Sequence, residues 1–425
     1  MTHHVILGAG PAGVIAAETI RKHAPTDHIT LVGDEPEPPY SRMAIPYLLI
    51  GHIDEAGTYL RKTADHYERL RIERVQGQAI AVDASARTVR LDGERTLTYD
   101  RLLIATGSRP VRPPVPGIDL PGVHHCWTLA DARAIMERAR PGARVLQLGA
   151  GFIGCIIMEA LQQRGVTLTI VEMGDRMVPR MMGPAAGGMI RDWCQAKGVS
   201  VHTSTRLEAI EPGAPLIARL SNGHALEADL VIIAAGVKPA IDFLEDSGIR
   251  CLQGVLTDEH MQTNVAGVFA AGDCAEAFDK VSGTTIVSAI QPNAAEQARV
   301  AAHNMVGRRA ELRGVTQINV LDTLGLISTS FGNWQGVPGG DRVEQVDIEH
   351  RKVLSLCFDG EVMIGCNTVG WTDHVGALRG LVEGRIRLGK WKRELMREPT
   401  QFMAAYLDAA QGHAHWSAAT DRYRR

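Results

Sequence analysis

Short apolar runs that end on glycine-rich turns recur along this 425-residue chain. The run HVIL at 4–7 meets the turn GAGPAG and continues into VIAAETI. The run RVLQL at 144–148 meets the turn GAGFIG and continues into CIIMEAL. Apolar runs of this length indicate buried strands, and the segments after each turn favour helices. The pattern therefore predicts two strand–turn–helix units with similar sequences.

Both turns have the glycine spacing G-x-G-x-x-G, at Gly8, Gly10 and Gly13 and again at Gly149, Gly151 and Gly154. The first glycine of such a set permits a tight turn, the second lets the backbone approach a pyrophosphate, and the third lets the helix pack on the strand. The helix N-terminus can then hold the anion. Glycine turns also occur as purely structural features, so each match needs support from elsewhere in the chain.

That support comes from an acidic residue at the end of the next apolar run. Asp34 and Glu35 close HITLVGDE, and Glu172 closes VTLTIVE. A carboxylate about 20 residues beyond the first glycine can accept hydrogen bonds from a ribose. The repeat continues, because LLIATG at 102–107 and VIIAAG at 231–236 are similar apolar runs that each follow a hairpin-like stretch. The duplicated module predicts two dinucleotide-sized ligands.

Composition narrows the class of protein. A length of 425 residues favours two or three domains. The 45% hydrophobic content, 22% charged content and net charge of −3 are typical of a globular protein and give no indication of nucleic-acid binding. The apolar runs are strand-sized, which predicts no membrane span. The first glycine turn begins at residue 8 and leaves no room for a secretory signal, so we expect a cytoplasmic protein.

The seven cysteines are scattered without a C-x-x-C pair. This spacing indicates neither a zinc ribbon nor an iron–sulfur cluster nor a vicinal dithiol, so no metal site is expected. His413 and His415 lie in a sequence typical of a loose terminal tail rather than of a metal site.

Several motifs in a fixed order resemble the FAD-dependent pyridine nucleotide-disulfide oxidoreductase family over about the first three quarters of the chain. They are GAGPAG at 8, YDRLLIATGSRP at 99, GAGFIG at 149, VIIAAGVKP at 231 and NVAGVFAAGDCAE at 264. The resemblance implies an α/β fold with two Rossmann-like dinucleotide-binding domains and a C-terminal α+β interface domain. It places a discontinuous FAD domain at 1–115 and 245–310, an NAD domain at 116–244, and an interface domain at 311–425 that often forms a homodimer.

The resemblance also assigns residues to FAD. The first turn would hold the pyrophosphate, Asp34 or Glu35 the adenosine ribose, and Asp273 the ribityl chain, while the helix near Pro292 would point its N-terminus at the flavin. Arg42 is either a positive group near the flavin or a surface ion-pair residue. The full set is Gly8, Gly10, Pro11, Ala12, Gly13, Asp34, Glu35, Arg42, Ala105, Thr106, Gly107, Gly272, Asp273 and Pro292.

The second turn would bind the nicotinamide dinucleotide. Glu172 favours NADH, because its carboxylate can bond a free 2′-hydroxyl and would repel the 2′-phosphate of NADPH. Arg176 and Arg180 follow closely and leave NADPH as the less favoured alternative. The residues implied at this site are Gly149, Gly151, Phe152, Ile153, Gly154, Glu172 and Gly236.

The stretch PPYSRMAIPYLLIG at 38–51 decides how electrons leave the flavin. Disulfide reductases of the family carry two cysteines here, and single-cysteine relatives carry one at the position of Met43. A methionine forms no thiolate, which excludes covalent thiol chemistry at this position. Ferredoxin reductases of the family carry a lysine at Tyr47 and a glutamate at Ile156, so the pocket is expected to be more apolar here.

We therefore expect an NADH-dependent flavoprotein that passes electrons to a ferredoxin or rubredoxin. The alternatives are reduction of a diffusible oxidant such as oxygen or a quinone, and service as the flavoprotein subunit of a larger complex. The sequence identifies no catalytic side chain. Phe331 and Trp334 either contact a substrate or pack in the core. A basic segment either docks an acidic carrier or is a solvated helix face; it comprises Arg379, Arg385, Arg387, Lys390, Lys392, Arg393 and Arg397.

Overall fold

The computed structural model describes residues 1–412. The chain divides into two compact units, of which the first contains residues 1–113, 124–138 and 236–315. The second contains residues 114–123, 139–235 and 316–412. His413 and His415 lie outside the described residues, and the division into three domains stays a prediction.

A five-stranded parallel sheet lies at the centre of the first unit. The strand that feeds the first glycine turn is central, and its Val5 pairs with Thr30 on one side and Leu102 on the other. Its apolar residues are buried, as is usual for a parallel sheet covered by helices. The order is Val268–Ala270, Arg101–Ile104, His3–Leu7, His28–Gly33 and Ile72–Gln76.

Two long helices of the first unit, Pro11–His23 and Gln291–Met305, pack against each other. The shorter helices are Ile45–Leu49, Glu55–Thr58, His66–Arg69 and Leu129–Arg138, with 3₁₀ turns at Arg42–Ala44, Asp92–Glu94 and Asp242–Leu244. The small strands are Ala79–Asp83, Thr88–Leu91, Thr96–Thr98, Ser108–Pro110, Val237–Pro239, Val255–Leu256, Ala275–Phe278 and Thr285–Val287.

The second unit repeats the arrangement around the second glycine turn. Its parallel core runs in the order Ser200–His202, Thr167–Val171, Arg144–Leu148 and Leu230–Ile233. Val123, the first residue of the strand Val123–His125, lies at the outer edge. The helix Phe152–Gln163 follows the strand Arg144–Leu148, and the helix Pro184–Ala196 follows the strand Thr167–Val171. An antiparallel sheet of Leu207–Glu211, Leu216–Leu220 and Ala225–Ala228 contains the second predicted hairpin.

The C-terminal part of the second unit is an antiparallel sheet followed by helices, as the sequence predicts. The strands run in the order Ile318–Thr323, Leu326–Gly332, Val362–Val369, Lys352–Asp359 and Asp341–Asp347. The helical elements are Val375–Gly384, Lys390–Arg397, the 3₁₀ turn Pro399–Gln401, and Phe402–Gly412.

This sheet is fastened to the helix Pro184–Ala196 of the same unit by Trp193, whose Nε1 donates to the carbonyl oxygens of Thr323 and Leu324 at 3.0 and 3.1 Å. The Trp193 ring also lies within 4.4 Å of the Arg351 guanidinium and 4.5 Å of the Lys197 ammonium. The fold is therefore α/β with a C-terminal α+β segment. Within residues 1–412, no helix combines the length and apolarity that a membrane crossing needs.

Candidate functional site

The first glycine turn needs glycine for two reasons at its first position. Gly8 has a φ of +112°, and a Cβ there would lie 2.0 Å from the carbonyl oxygen of Ala105. A Cβ at Gly13 would lie 1.9 Å from the carbonyl oxygen of Gly8, so the helix packs directly on the turn. A Cβ at Gly10 would meet no atom of the described residues within 4 Å. The turn is thus closed against the protein at the first and third glycines, Gly8 and Gly13, and open at the second, Gly10.

The helix Pro11–His23 begins at this open glycine. Gly10 is its N-cap, Pro11 and Ala12 begin its first turn, and that turn contains neither a side-chain cap nor an acidic residue. The N–H groups at such an end have no intrahelical partner and favour an anion. An open cradle in front of an uncapped helix end fits the pyrophosphate of FAD.

The structure places Glu35, rather than Asp34, in a network of side chains. Glu35 forms an ion pair with Arg42 at 2.8 Å and accepts a hydrogen bond from the Tyr40 hydroxyl at 2.6 Å. Arg42 also donates to the carbonyl oxygen of Trp127 at 3.0 Å, and its guanidinium lies 5.3 Å from the Trp127 ring centroid. Burial raises the pKa of Tyr40, which keeps its hydroxyl protonated. The Asp34 side chain is exposed beside this network.

Asp273 lies in a second polar cluster of the same unit. Its carboxylate accepts a hydrogen bond from the Ser108 hydroxyl at 2.8 Å. Burial raises the pKa of Asp273, while that hydrogen bond and the charge of Arg42 act in the opposite direction. A partly buried carboxylate with spare acceptor capacity is suited to bind the hydroxyl groups of a ribityl chain.

The loop before Asp273 is fixed by the helix Gln291–Met305. The Gln297 side chain is fully buried, and its Oε1 accepts a hydrogen bond from the Gly272 backbone at 2.8 Å. Its Nε2 has no hydrogen-bond partner among the described residues. A Cβ at Gly272 would lie 3.3 Å from the Cβ of Ala12, so this loop touches the first turn. An orphaned buried donor beside the cradle also fits a bound FAD.

The other residues assigned to FAD lie in the same unit. Ala105 donates its backbone N–H to Leu7 at 2.7 Å, and the Thr106 hydroxyl donates to the Ala240 carbonyl at 2.7 Å. Gly107 follows with a φ of +69°. Pro292 lies in the first turn of the helix Gln291–Met305, which has neither a side-chain cap nor an acidic residue at that end.

The second glycine turn has the same construction. Gly149 has a φ of +103°, and its Cβ would lie 2.3 Å from the Ala234 carbonyl oxygen. A Cβ at Gly154 would lie 2.6 Å from the Gly149 carbonyl oxygen, whereas one at Gly151 would meet no described atom within 4 Å. Phe152 and Ile153 begin the following helix, which has neither a side-chain cap nor a first-turn acid. This cradle fits a second pyrophosphate.

Glu172 lies across the second turn and is held by its backbone. Its Oε2 accepts from the Ala150 N–H and its Oε1 accepts from the Gly174 N–H, both at 2.7 Å. Arg176 is tied to its own loop, because it donates to the carbonyl oxygens of Met182 and Pro179 and pairs with Asp175.

Arg180 and Gly236 are the remaining residues that the sequence associates with the nicotinamide coenzyme. Arg180 is exposed in the second unit. Gly236 has a φ of +101° and lies in the first unit, where its carbonyl oxygen accepts from the Val111 backbone N–H.

The side chains at the positions that the resemblance assigns to the family's redox and proton-handling groups are partly exposed to solvent. Met43 is 57% exposed and Tyr47 is 56% exposed, while Ile156 is half-buried. All seven cysteines are free. Burial raises the pKa of every one of these thiols, to about 12 for Cys126 and Cys194. None of them has the lowered pKa of a nucleophilic thiol.

Many cations of the basic segment are paired with carboxylates. Four of the seven basic residues form ion pairs, which are Arg379 with Glu383, Lys390 with Asp408, Lys392 with Asp341, and Arg397 with Glu394. The side chains of Arg387 and Arg393 are exposed. Phe331 and Trp334 are both buried, which is the packing role.

The sequence reasoning missed several residues of these sites. Tyr40, Ser108 and Trp127 contact assigned residues. Tyr40 and Ser108 lie within motifs described above, but no sequence pattern assigns a role to any of the three side chains. Gln147 does carry a signal, since it is a polar residue within the apolar run RVLQL, whereas Gln297 lies in a helix of mixed polarity and carries none.

Comparison with known proteins agrees with this geometry. Residues 2–303 match the family described as pyridine nucleotide-disulphide oxidoreductase. The NADH-dependent phenylglyoxylate dehydrogenase subunit epsilon of Aromatoleum evansii is 33% identical over 363 residues, covering 84% of this chain and 85% of the relative. The NADH oxidase of Methanocaldococcus jannaschii is 31% identical over 399 residues, covering 86% of this chain and 87% of the relative.

A solved structure gives the same result. The NAD-dependent persulfide reductase from A. fulgidus matches with a TM-score of 0.84 at 29% identity, covering 91% of this chain and 78% of that one. Several further relatives are named as ferredoxin or rubredoxin reductases. This chain therefore belongs to the pyridine nucleotide-disulphide oxidoreductase family and is an FAD-dependent oxidoreductase that uses a nicotinamide dinucleotide.

Proposed function

We propose that this protein oxidises NADH and passes the electrons through FAD to a small iron–sulfur protein of the ferredoxin or rubredoxin class. The observation that carries the proposal is the combination of two dinucleotide cradles with a methionine at the redox-cysteine position. Bound FAD accepts hydride from a nicotinamide and releases electrons to an acceptor. No side chain at Met43 can relay them as a thiolate, so the acceptor must take them from the flavin.

The chain's own residues have separate tasks in this proposal. The first turn and Asp273 bind FAD, and the Glu35–Arg42 pair fixes the loop that leads to Met43. The second turn binds the coenzyme pyrophosphate, and Glu172 binds the adenosine ribose. Met43 and Tyr47 place neither a thiol nor an ammonium group at these two positions of the loop.

We propose NADH rather than NADPH as the coenzyme. The Glu172 carboxylate disfavours a 2′-phosphate by charge repulsion, and the Arg176 guanidinium is already engaged by two carbonyl oxygens and Asp175. The test is the ratio of kcat/KM for the two coenzymes. A ratio above about 10 in favour of NADH, or about 1.4 kcal/mol, is expected. Equal values would contradict the proposal.

A second candidate function is electron entry into a larger complex. It is favoured by the 33% identity to a relative named as subunit epsilon of an NADH-dependent dehydrogenase. In this case the acceptor is a partner subunit rather than a free carrier. Homodimerisation through residues 311–425 stays a prediction in both cases.

Stopped-flow spectroscopy separates these functions. The flavin is first reduced with NADH under anaerobic conditions and then mixed with a ferredoxin, a rubredoxin, a quinone or air-saturated buffer. The proposal is supported if the ferredoxin or the rubredoxin reoxidises the flavin quickly and neither the quinone nor oxygen does. Faster reoxidation by quinone or oxygen refutes it, and reoxidation by none of them favours the complex subunit.

Charge reversal gives a matched control for docking. The double variant Arg387→Glu/Arg393→Glu changes two exposed cations of the basic segment. Arg309→Glu changes a cation that is 79% exposed in the first unit. If the basic segment docks an acidic carrier, the double variant lowers the second-order reoxidation rate at low salt and Arg309→Glu does not. Equal reoxidation rates for the wild type, the double variant and Arg309→Glu would contradict docking at this segment.

A further inference from the structure

A buried glutamine lies directly beneath the second glycine turn. Gln147 belongs to the apolar strand Arg144–Leu148 and is 0% exposed. Its Nε2 donates to the carbonyl oxygen of Gly149 and to the carbonyl oxygen of Gly154, both at 2.9 Å. One amide group therefore joins the first and the third glycine of the turn.

These two hydrogen bonds set the direction of the turn's own donors. In a trans peptide, the carbonyl of Gly149 and the N–H of Ala150 point to opposite sides. Gln147 holds that carbonyl inward, and the Ala150 N–H faces the Glu172 carboxylate at 2.7 Å. The glutamine thus fixes, through one peptide group, the carboxylate assigned to the coenzyme ribose.

Stability alone does not account for a glutamine at this position. Its Oε1 is buried and accepts no hydrogen bond from the described residues. A buried polar atom without a partner destabilises the folded state, whereas an apolar residue of similar size avoids that loss. Residues that break a local rule of this kind often have a functional reason.

The first glycine turn provides an internal comparison. Ile6 precedes Gly8 by two residues, as Gln147 precedes Gly149, and it is also 0% exposed. The two turns have the same arrangement, with a positive φ at the first glycine and close backbone contacts at the first and third, yet only the second turn has an amide beneath it. The difference is in the ligands proposed for them, because FAD stays bound through turnover while NADH enters and leaves in each cycle.

We infer that Gln147 is a positioning residue that holds the second turn in its coenzyme-binding shape while the turn is empty. An ordered turn loses less conformational freedom when the dinucleotide binds, which increases affinity. The first turn is supported by its resident FAD and has an isoleucine instead. This inference rests on the proposed function, because it assigns the second turn to NADH.

The test uses the FAD-loaded protein and the variant Gln147→Leu, which removes the donor at nearly constant volume. The Kd of NAD⁺ is measured by titration calorimetry, and KM and kcat by NADH-dependent reduction of ferricyanide. We expect Kd and KM to rise about tenfold, which corresponds to about 1.4 kcal/mol. We expect kcat and FAD content to stay at their wild-type values. The unfolding temperature should change little, because the loss of the two hydrogen bonds to Gly149 and Gly154 is opposed by removal of the unpaired Oε1. The matched control is Ile6→Leu, which should leave the Kd of NAD⁺ unchanged.

A second variant distinguishes positioning from packing. In Gln147→Glu the buried carboxyl can donate a hydrogen bond only when it is protonated, and the carboxylate repels the two carbonyl oxygens. The Kd of NAD⁺ should therefore rise with pH in this variant and stay constant with pH in Gln147→Leu. A pH-independent Kd in Gln147→Glu would overturn the inference.

An unchanged Kd of NAD⁺ in Gln147→Leu would also overturn the inference, whether or not kcat and thermal stability fall in that variant. These outcomes are separate from failure of the proposed function. That failure would appear as wild-type protein whose flavin is not reduced by NADH, and the Kd comparison between variants still decides the role of Gln147.

Discussion

The second glycine of each turn can be given a methyl group with little effect on the protein itself. Gly10 and Gly151 have extended backbones, with φ of −77° and −73° and ψ of −174°, and alanine adopts these angles without strain. A Cβ at either position meets no described atom within 4 Å. Gly10→Ala and Gly151→Ala should therefore fold, unlike alanine variants at Gly8 or Gly149, where a Cβ would overlap a carbonyl oxygen.

The expected magnitudes differ sharply between folding and binding. Both glycines are helix N-caps, and alanine at an N-cap costs about 0.5–1 kcal/mol, or about 1–4 °C in unfolding temperature. A methyl in the open cradle displaces the pyrophosphate from the helix N–H groups. Each charge-assisted hydrogen bond lost in this way is worth about 1.5–3 kcal/mol, so affinity should fall about 10- to 150-fold per bond.

The assay compares the two variants in a crossed design. FAD per chain is measured from absorbance after gel filtration, and the Kd of NAD⁺ is measured by calorimetry. Gly10→Ala should lose FAD and keep its NAD⁺ affinity, while Gly151→Ala should keep FAD and bind NAD⁺ more weakly. Loss of FAD in Gly151→Ala, or wild-type affinity for both ligands in both variants, would refute the assignment of the turns.

Local patterns in the sequence predicted the parts of this fold that local forces determine. The apolar runs and the glycine spacing predicted the strands, the turns and the helices that follow them, because side-chain periodicity and backbone freedom act over a few residues. The strand ends at Gly33 and Val171 leave the predicted acids directly after them. The C-terminal α+β segment was implied by the family resemblance rather than by these patterns.

Long-range pairings could not be predicted in this way. Arg42 meets the Trp127 carbonyl 85 residues away, and Ser108 meets Asp273 at a separation of 165 residues. The hydrophobic periodicity of the sequence does not indicate which loops come together at the carboxyl ends of parallel strands. The choice of Glu35 over Asp34 in the ion pair likewise depends on where Arg42 is brought by the tertiary fold.

Three further predictions concern individual side chains. Asp273→Asn should retain FAD about 10-fold less tightly while raising the unfolding temperature of FAD-free protein, because burial of the carboxylate raises its pKa; unchanged FAD affinity would contradict this role. Trp193→Phe removes the donor shared by two turn carbonyls and should cost about 1–3 kcal/mol, measured by denaturant unfolding; a loss below about 0.5 kcal/mol would contradict it. Although Glu18 is partly buried, which raises its pKa, hydrogen bonds from Arg61 and His66 lower the pKa below 4.5. The Glu18 carboxylate stabilises the folded state above pH 4.5, and this stabilisation is lost as the pH falls through the lowered pKa. The difference in unfolding temperature between wild type and Glu18→Gln should therefore shrink below pH 4.5. A difference that stays constant with pH would contradict this role.

The duplicated turn separates the requirements of a dinucleotide cradle from those of a particular ligand. The contacts that close both turns are between backbone atoms and glycine, so they depend on the fold and not on the ligand. The residues that differ, Ile6 against Gln147 and the Arg42-paired Glu35 against the backbone-held Glu172, are side chains. A resident cofactor can supply part of the order of its own site, whereas an exchanging coenzyme must find its site already formed. The asymmetry between two otherwise equal turns is therefore the feature expected when one ligand stays and the other leaves.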